Sequence, residues 1–150
     1  MRTIRDETCR SELIARIEKL TGDEKAVWGK MSLEQMLSHL VQTGDLPFET
    51  IMDDHSNVVS RTLLKPLVLY VLQIPKDVKV GPELDQQQNG RKPQGVDADR
   101  SNLIEAINKL AALPENHDCL GHPFFGKMSA KQWAVLAHKH IDHHLRQFGV

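Results

Sequence analysis

The stretch SAKQWAVLAHKHIDHHLRQF, residues 129–148, decides how the chain folds and raises the question of what it does. Ser129 followed three residues later by Gln132 has the form of a capping box, in which each side chain bonds the other residue's backbone N–H and starts a helix. Wound at about 100° per residue, the stretch gathers Trp133, Ala134, Ala137, Ile141, Leu145 and Phe148 on one apolar side. Lys131, Gln132, Lys139, Asp142 and Arg146 fall opposite, and Asp142 reads as a solvated residue. Four of the chain's eight histidines lie within seven positions of this helix, but they do not share a face. His140 and His144 point within roughly 50° of the apolar centre, whereas His138 and His143 lie roughly 110° away on its edges and read as rim or solvated residues. The inner pair, four residues apart, has Cβ atoms about 6 Å from each other. Two buried imidazoles need partners. They can converge on a metal ion, a recurring use of this spacing, or form a hydrogen-bonded structural pair, or serve an uncoordinated catalytic or binding role.

The rest of the chain is read against this terminal helix. A first helix is expected over 6–20, with Leu13, Ile14, Ile17 and Leu20 in register and Thr21-Gly22-Asp23 ending it. GKMSLEQMLSHL (29–40) starts a second at Ser32, with Gln35 completing another capping box and Leu33, Met36, Leu37, Leu40 and Val41 as its stripe; it ends or bends near Gly44. The passages Gly29-Lys30-Met31-Ser32 and Gly126-Lys127-Met128-Ser129 echo each other, most simply as one cap used twice. A third segment, 58–72, contains Pro66, which either kinks it or opens a new helix. Its LVLYVL (67–72) is apolar on most sides and is expected to be deeply buried or to face a partner. A fourth helix is expected over 97–113. Residues 75–99 have no usable periodicity, and a connector of that length is either a functional cover or disordered; disorder or plain surface wrapping is the simpler expectation. No alternating strand pattern is present. The sequence therefore predicts an all-α single domain over 1–150: a four-helix bundle with an accessory helix and long irregular connectors.

Composition narrows the function. A hydrophobic fraction of 40% and a charged fraction of 26% are those of a globular protein with one core. The net charge of −1, with acids and bases interspersed, argues against a nucleic-acid partner. The longest apolar run, LLKPLVLYVLQI (63–74), is twelve residues long with a lysine and a proline inside, too short to span a bilayer. Cys9 and Cys119 form no spaced framework, and MRTIRDETCR lacks the apolar core of a secretory signal. A reducing, cytoplasmic location with free thiols is expected.

Two histidines do not complete a metal site. Further candidates are His39, His55, His117, His122 and Cys119. His39 sits on the strong second helix but roughly 120° from the centre of its stripe, near Gln35, Met36 and Thr43, where a lone histidine is more often structural or exposed. HDCLGH (117–122) offers zinc-like residue types without a second pair at the right spacing.

Taken together, WGKMSLEQMLSHL (28–40), HPFFGKMS (122–129) and KHIDHHLRQFGV (139–150) resemble the DinB-like superfamily, and more closely a bacterial subfamily of it designated a domain of unknown function. The resemblance implies a four-helix bundle, often dimeric, with a divalent metal held by one histidine of the second helix and two of the last. His39 takes the place of the first ligand, and His140 and His144 those of the other two. His143 takes the place of the neighbouring non-ligand histidine. Where the family commonly has Arg-Gly-Gln after the last ligand, this chain has Leu145-Arg146-Gln147, so the family's substrate chemistry transfers less directly than its ligands.

Three neutral imidazoles would leave a coordination position open to water or substrate. Nickel, zinc, manganese and iron all suit such ligands. The resemblance implies a metal-dependent transferase or isomerase that uses a low-molecular-weight thiol on a small molecule, with His143 and Gln147 as supporting or substrate contacts. The competing expectations are a non-catalytic homodimeric bundle whose metal is structural or vestigial, and a metal-independent binding protein covered by the 75–99 loop.

Overall fold

The computed structural model describes residues 1–49, 53–76 and 78–150. Among them the regular structure is helical: α1 (Glu7–Glu18), α2 (Leu33–Asp45), α3 (Lys65–Tyr70), α4 (Val96–Ala111) and α5 (Ala130–Gln147), with a π-helical turn, Ser60–Leu64, leading straight into α3. The described residues hold no strand, only one isolated bridge between His122 and Gly126. No described helix is long and apolar enough to cross a membrane, and Cys9 and Cys119 are both free thiols.

The helix starts follow their side-chain chemistry. Asp6 caps α1 by accepting from the Cys9 N–H at 2.9 Å. Both expected capping boxes form: Ser32 with Gln35 opens α2, and Ser129 with Gln132 opens α5. Pro66 falls in the first turn of α3, where its missing N–H costs nothing. The segment 58–72, where Pro66 was expected either to kink a helix or to open a new one, is the π-helical turn followed directly by α3.

Helices α1, α2, α4 and α5 pack around one core that includes Leu13, Ile17, Met36, Leu37, Leu103, Ile107, Trp133, Ile141 and Leu145. Helix α2 ends at Asp45, beside Gly44 as expected. A Cβ built on Gly44 would lie 3.2 Å from the Ala106 Cβ, so glycine permits the close approach of α2 to α4. Helix α3 lies against α5 as an accessory element.

Of the LVLYVL run, expected to be deeply buried or to face a partner, only Leu69 is fully buried, while Tyr70, Val71 and Leu72 are exposed. A six-residue helix touches α5 with one face and leaves the others uncovered. Lys139, expected on the solvent side of α5, instead donates to the Val68, Leu69 and Leu72 carbonyls and caps the C-terminal end of α3.

Residues 75–99, all described except Asp77, are in part the surface wrapping that was one of the expectations for them. Part of this stretch is a strap bonded along α2. Gln35 Nε2 donates to the Gln86 carbonyl at 3.2 Å, Gln42 Nε2 to the Glu83 carbonyl at 2.8 Å, and Ser38 Oγ to the Arg91 carbonyl at 2.7 Å. A second, polar face of α2 is thereby enclosed, and Ser38, His39 and Gln42 are all buried. The strap ends in an ion pair: Arg91 donates at 2.6 Å to Asp99, whose side chain is wholly buried and whose other oxygen accepts from the Gln94 N–H at 2.8 Å.

Removing Arg91 would strand that carboxylate. Arg91→Met is expected to cost about 3 kcal/mol in urea-unfolding free energy, the range for breaking a buried pair. Arg2→Met, at the exposed Arg2–Glu12 pair, is expected to cost less than about 1 kcal/mol.

Candidate metal centre

His39 from α2 meets His140 and His144 from α5. Four-residue spacing on α5 stacks the latter two, and the packing of α2 on α5 brings the first across to them. The Nε2 atoms of His39 and His140 lie 3.3 Å apart, and those of His140 and His144 lie 3.1 Å apart. His39 and His144 are 5% and 6% exposed, and His140 is the partly exposed member.

The other ring nitrogen fixes the tautomer of His39 and of His144. His39 Nδ1 lies 3.3 Å from the Leu84 carbonyl, which only accepts, so that nitrogen carries the proton. His144 Nδ1 lies 2.8 Å from Gln147 Oε1. The Gln147 amide cannot be turned around, because its Nε2 donates to the Trp28 carbonyl at 2.7 Å. His144 therefore also carries its proton on Nδ1. Thr43 donates to the His39 carbonyl at 2.9 Å, and its oxygen lies 3.4 Å from His140 Nδ1, a contact that a hydroxyl makes as donor or as acceptor. The bare Nε2 lone pairs of His39 and His144 thus both face His140 Nε2.

Burial keeps the rings neutral. Desolvation pushes His39 down to about 4 and His144 down to about 3, with the charge of His143 adding to the first and those of His39 and His143 to the second. His140 lies well below its ordinary value of 6.5, first through desolvation and then through the charges of His144 and His39. The bare lone pairs of His39 and His144 are met either by a proton on His140 Nε2 or by a cation that all three nitrogens share. Outer hydrogen bonds that orient each ring are the usual support of a metal-ligating histidine. The residues thus fit a divalent ion, and imidazole donors without thiolate or carboxylate suit the transition metals. Among the described residues no fourth His, Cys, Asp or Glu joins the group.

The remaining candidates go elsewhere. His143 packs edge-on against Trp28 and against the His144 ring, at centroid distances of 5.8 and 5.1 Å. His138 and His143, expected on the rim, are buried at 5% and 8% exposure. The N-terminal segment covers the first, with the Ile4 N–H bonded to the Ala134 carbonyl at 3.3 Å. The second is covered by residues 27–28, tied to α5 through Val27 N–H to the Gln147 carbonyl at 2.8 Å. Asp142 is not simply solvated, since it accepts from Arg16 at 2.7 Å and pairs with Arg146 at 3.0 Å. His117, Cys119 and His122 do not come together as a metal-holding group. His122 stacks on Phe125 and accepts two backbone N–H bonds at Nδ1, and burial pushes the Cys119 thiol up. His55 lies tilted against Phe124.

Sequence reasoning did not identify Thr43 and the Leu84 carbonyl as supports. Thr43 stands four residues after His39 on the same helix, which was the available signal; a backbone carbonyl from a distant strap leaves none.

A helical bundle with a three-histidine centre able to hold a divalent ion is the class of protein that fold and site define. The family model described as "Protein of unknown function (DUF1569)" matches residues 7–149, and the chain belongs to that family. No curated protein and no solved structure matches it.

Two outcomes follow from the geometry. Thr43→Val and Gln147→Leu keep all three ligands but free a ring, and each is expected to weaken zinc binding about 10- to 100-fold in a competitive chelator titration. Unfolded histidines titrate near 6.5, while His39 and His144 hold off protonation to about 4 and about 3. Between those values the unfolded chain binds more protons, so acid favours it. Thermal melts of the metal-free protein are expected to fall steadily from about pH 6.5 toward pH 4.

Proposed function

We propose that the protein is a DinB-like metalloprotein in which His39, His140 and His144 hold one divalent transition-metal ion. We further propose that it acts as a metal-dependent transferase or isomerase using a low-molecular-weight thiol on a small molecule. The observation that carries the reading is the convergence of three Nε2 atoms, with the Nδ1–H groups of His39 and His144 each held by an acceptor. The superfamily reading is supported by the helical bundle and by the origin of the three ligands, one from α2 and two from α5.

An ion held by only three protein ligands supplies, when bound, Lewis-acid activation of a water or a thiol at its open position. The chain's own residues do the rest. Leu84 and Gln147 keep the His39 and His144 protons on Nδ1, and Thr43 Oγ1 lies against His140 Nδ1. The strap over α2 excludes water from the His39 side. His140 is the partly exposed member of the three, and we propose that a small molecule reaches the centre past it. His143 and Trp28 form a wall behind His144, and Gln147 acts through His144 rather than on substrate. Nickel, zinc, manganese and iron remain the candidate ions. We place the protein in the cytoplasm as a homodimer, the exposed apolar residues Val71 and Leu72 of the α3 region being consistent with a partner face.

The near-complete burial of His39 and His144 favours a second reading, in which the ion is structural and ties α2 to α5 in a non-catalytic dimer. Elemental analysis of untagged protein tests the shared premise. About one equivalent of a transition metal is expected in the wild type and none in His144→Ala; metal-free wild type, purified without chelators, overturns both readings. Thiol-dependent turnover of a small electrophile, lost on chelation, then supports the enzyme. A large fall in melting temperature on chelation without turnover supports the structural ion.

A further inference from the structure

The HPFFG turn, residues 122–126, closes one end of the groove in which the histidine triad sits. Helices α2 and α5 run in opposite directions along that groove. His39 lies beside His144, with ring centroids 5.1 Å apart, and one turn further on Thr43 lies beside His140. Another turn on, the Pro47 carbonyl accepts from the Leu120 N–H at 3.0 Å, and the Leu120 carbonyl accepts from Trp133 Nε1 at 3.1 Å. Trp133 and His140, seven residues apart on α5, project from one face about 10.5 Å apart along the axis. Ala137 is the small residue of that face between them. Thr43, Ala137, His140 and His122 are all half-buried, so the accessible edge of the triad continues to the turn.

At that end His122 is held in one place and one tautomer. Its ring stacks on Phe125 at 4.6 Å and lies 5.3 Å from the Trp133 ring. Nδ1 accepts the Phe124 and Phe125 N–H groups at 3.1 and 3.3 Å and so carries no proton. Burial pushes the ring down to about 4, which leaves it neutral at physiological pH with its proton on Nε2. That N–H meets no acceptor among the described residues, and unlike the Nε2 of His138 it is not sealed from solvent. The ring is also within electrostatic reach of the triad. His140 is lowered first by its own burial and then by the charges of neighbouring histidines, His122 among them.

We propose that His122 is a substrate contact of the metal centre, its Nε2–H receiving the carboxylate of a small molecule whose thiol end meets the ion. The inference rests on the metal reading above and adds the chemistry of the far end of the ligand. A fixed, unused donor at the end of an accessible groove is a specificity group, and an anionic acceptor gives it the stronger bond. The length follows from the groove. Of a span on the order of 10 Å, a sulfur–ion bond takes about 2.3 Å and an N–H···O bond about 2.9 Å. The remainder suits a three-carbon mercaptocarboxylate.

The test uses the zinc-loaded full chain with 3-mercaptopropionate, and with 1-propanethiol as the thiol that lacks an oxygen. Zinc loading is checked first by competitive chelator titration. In calorimetry the mercaptocarboxylate is expected to bind at least about tenfold more tightly than propanethiol. His122→Asn keeps an oxygen for the Phe124 and Phe125 N–H groups but has no donor where Nε2 stood. It is expected to hold zinc as the wild type does and to lose about tenfold in affinity for 3-mercaptopropionate, with propanethiol unchanged. In wild type with ring-¹⁵N-labelled histidine, 3-mercaptopropionate is expected to shift His122 Nε2 saturably and propanethiol to leave it in place, a readout that needs no variant to fold. Equal affinity for the two thiols, undiminished affinity in His122→Asn, or an unmoved His122 Nε2 in zinc-loaded protein overturns this inference alone. A chain that holds no zinc overturns the metal reading and this inference with it.

Discussion

Three imidazole Nε2 atoms converge on one point, and the rest of the site is organised around holding them there. His39 and His144 are kept from moving their protons to Nε2 by acceptors at Nδ1, the Leu84 carbonyl and the Gln147 amide oxygen, while Thr43 Oγ1 stands against His140 Nδ1. Those supports come from three places, namely the strap after α3, α2 itself and the end of α5. Burial blocks protonation of His39 and His144 by holding both far below neutral pH. A cation at the meeting point engages all three lone pairs at once.

This constraint explains features that packing alone leaves idle. A polar face on α2, with Gln35, Ser38 and Gln42 bonded to strap carbonyls, has no value as core. As a device for fixing Leu84 over His39 it has a direct one. The buried Arg91–Asp99 pair anchors the far end of the same strap to the start of α4. Residues 27–28 likewise serve α5: the Trp28 carbonyl orients Gln147, and the Trp28 ring walls in His143.

Much of the fold could be read in the sequence because helix starts and apolar stripes are local signals. Both capping boxes form where Ser32 and Ser129 announced them. The wheel of α5 turned His140 and His144 inward, and the structure brings them together with His39. What the wheel could not show was what lies outside a single helix. His39 stands away from the centre of its own apolar stripe, yet the strap makes that side interior. His138 and His143 looked like rim residues for the same reason, since the N-terminal segment and Trp28 cover edges that an isolated helix would expose. The LVLYVL run, whose composition called for burial or for a partner, has only Leu69 fully buried, because a six-residue helix on one side of α5 covers little of itself.

The central claim is that one ion sits among three imidazoles, and X-ray absorption at the zinc edge of zinc-loaded protein tests it most directly. The account predicts a first shell of nitrogen and oxygen scatterers at about 2.0–2.1 Å, with the outer-shell pattern of three imidazole rings that falls to two in His39→Ala. A sulfur scatterer at about 2.3 Å, which would point to Cys9 or Cys119, or a shell without imidazole rings, would contradict it.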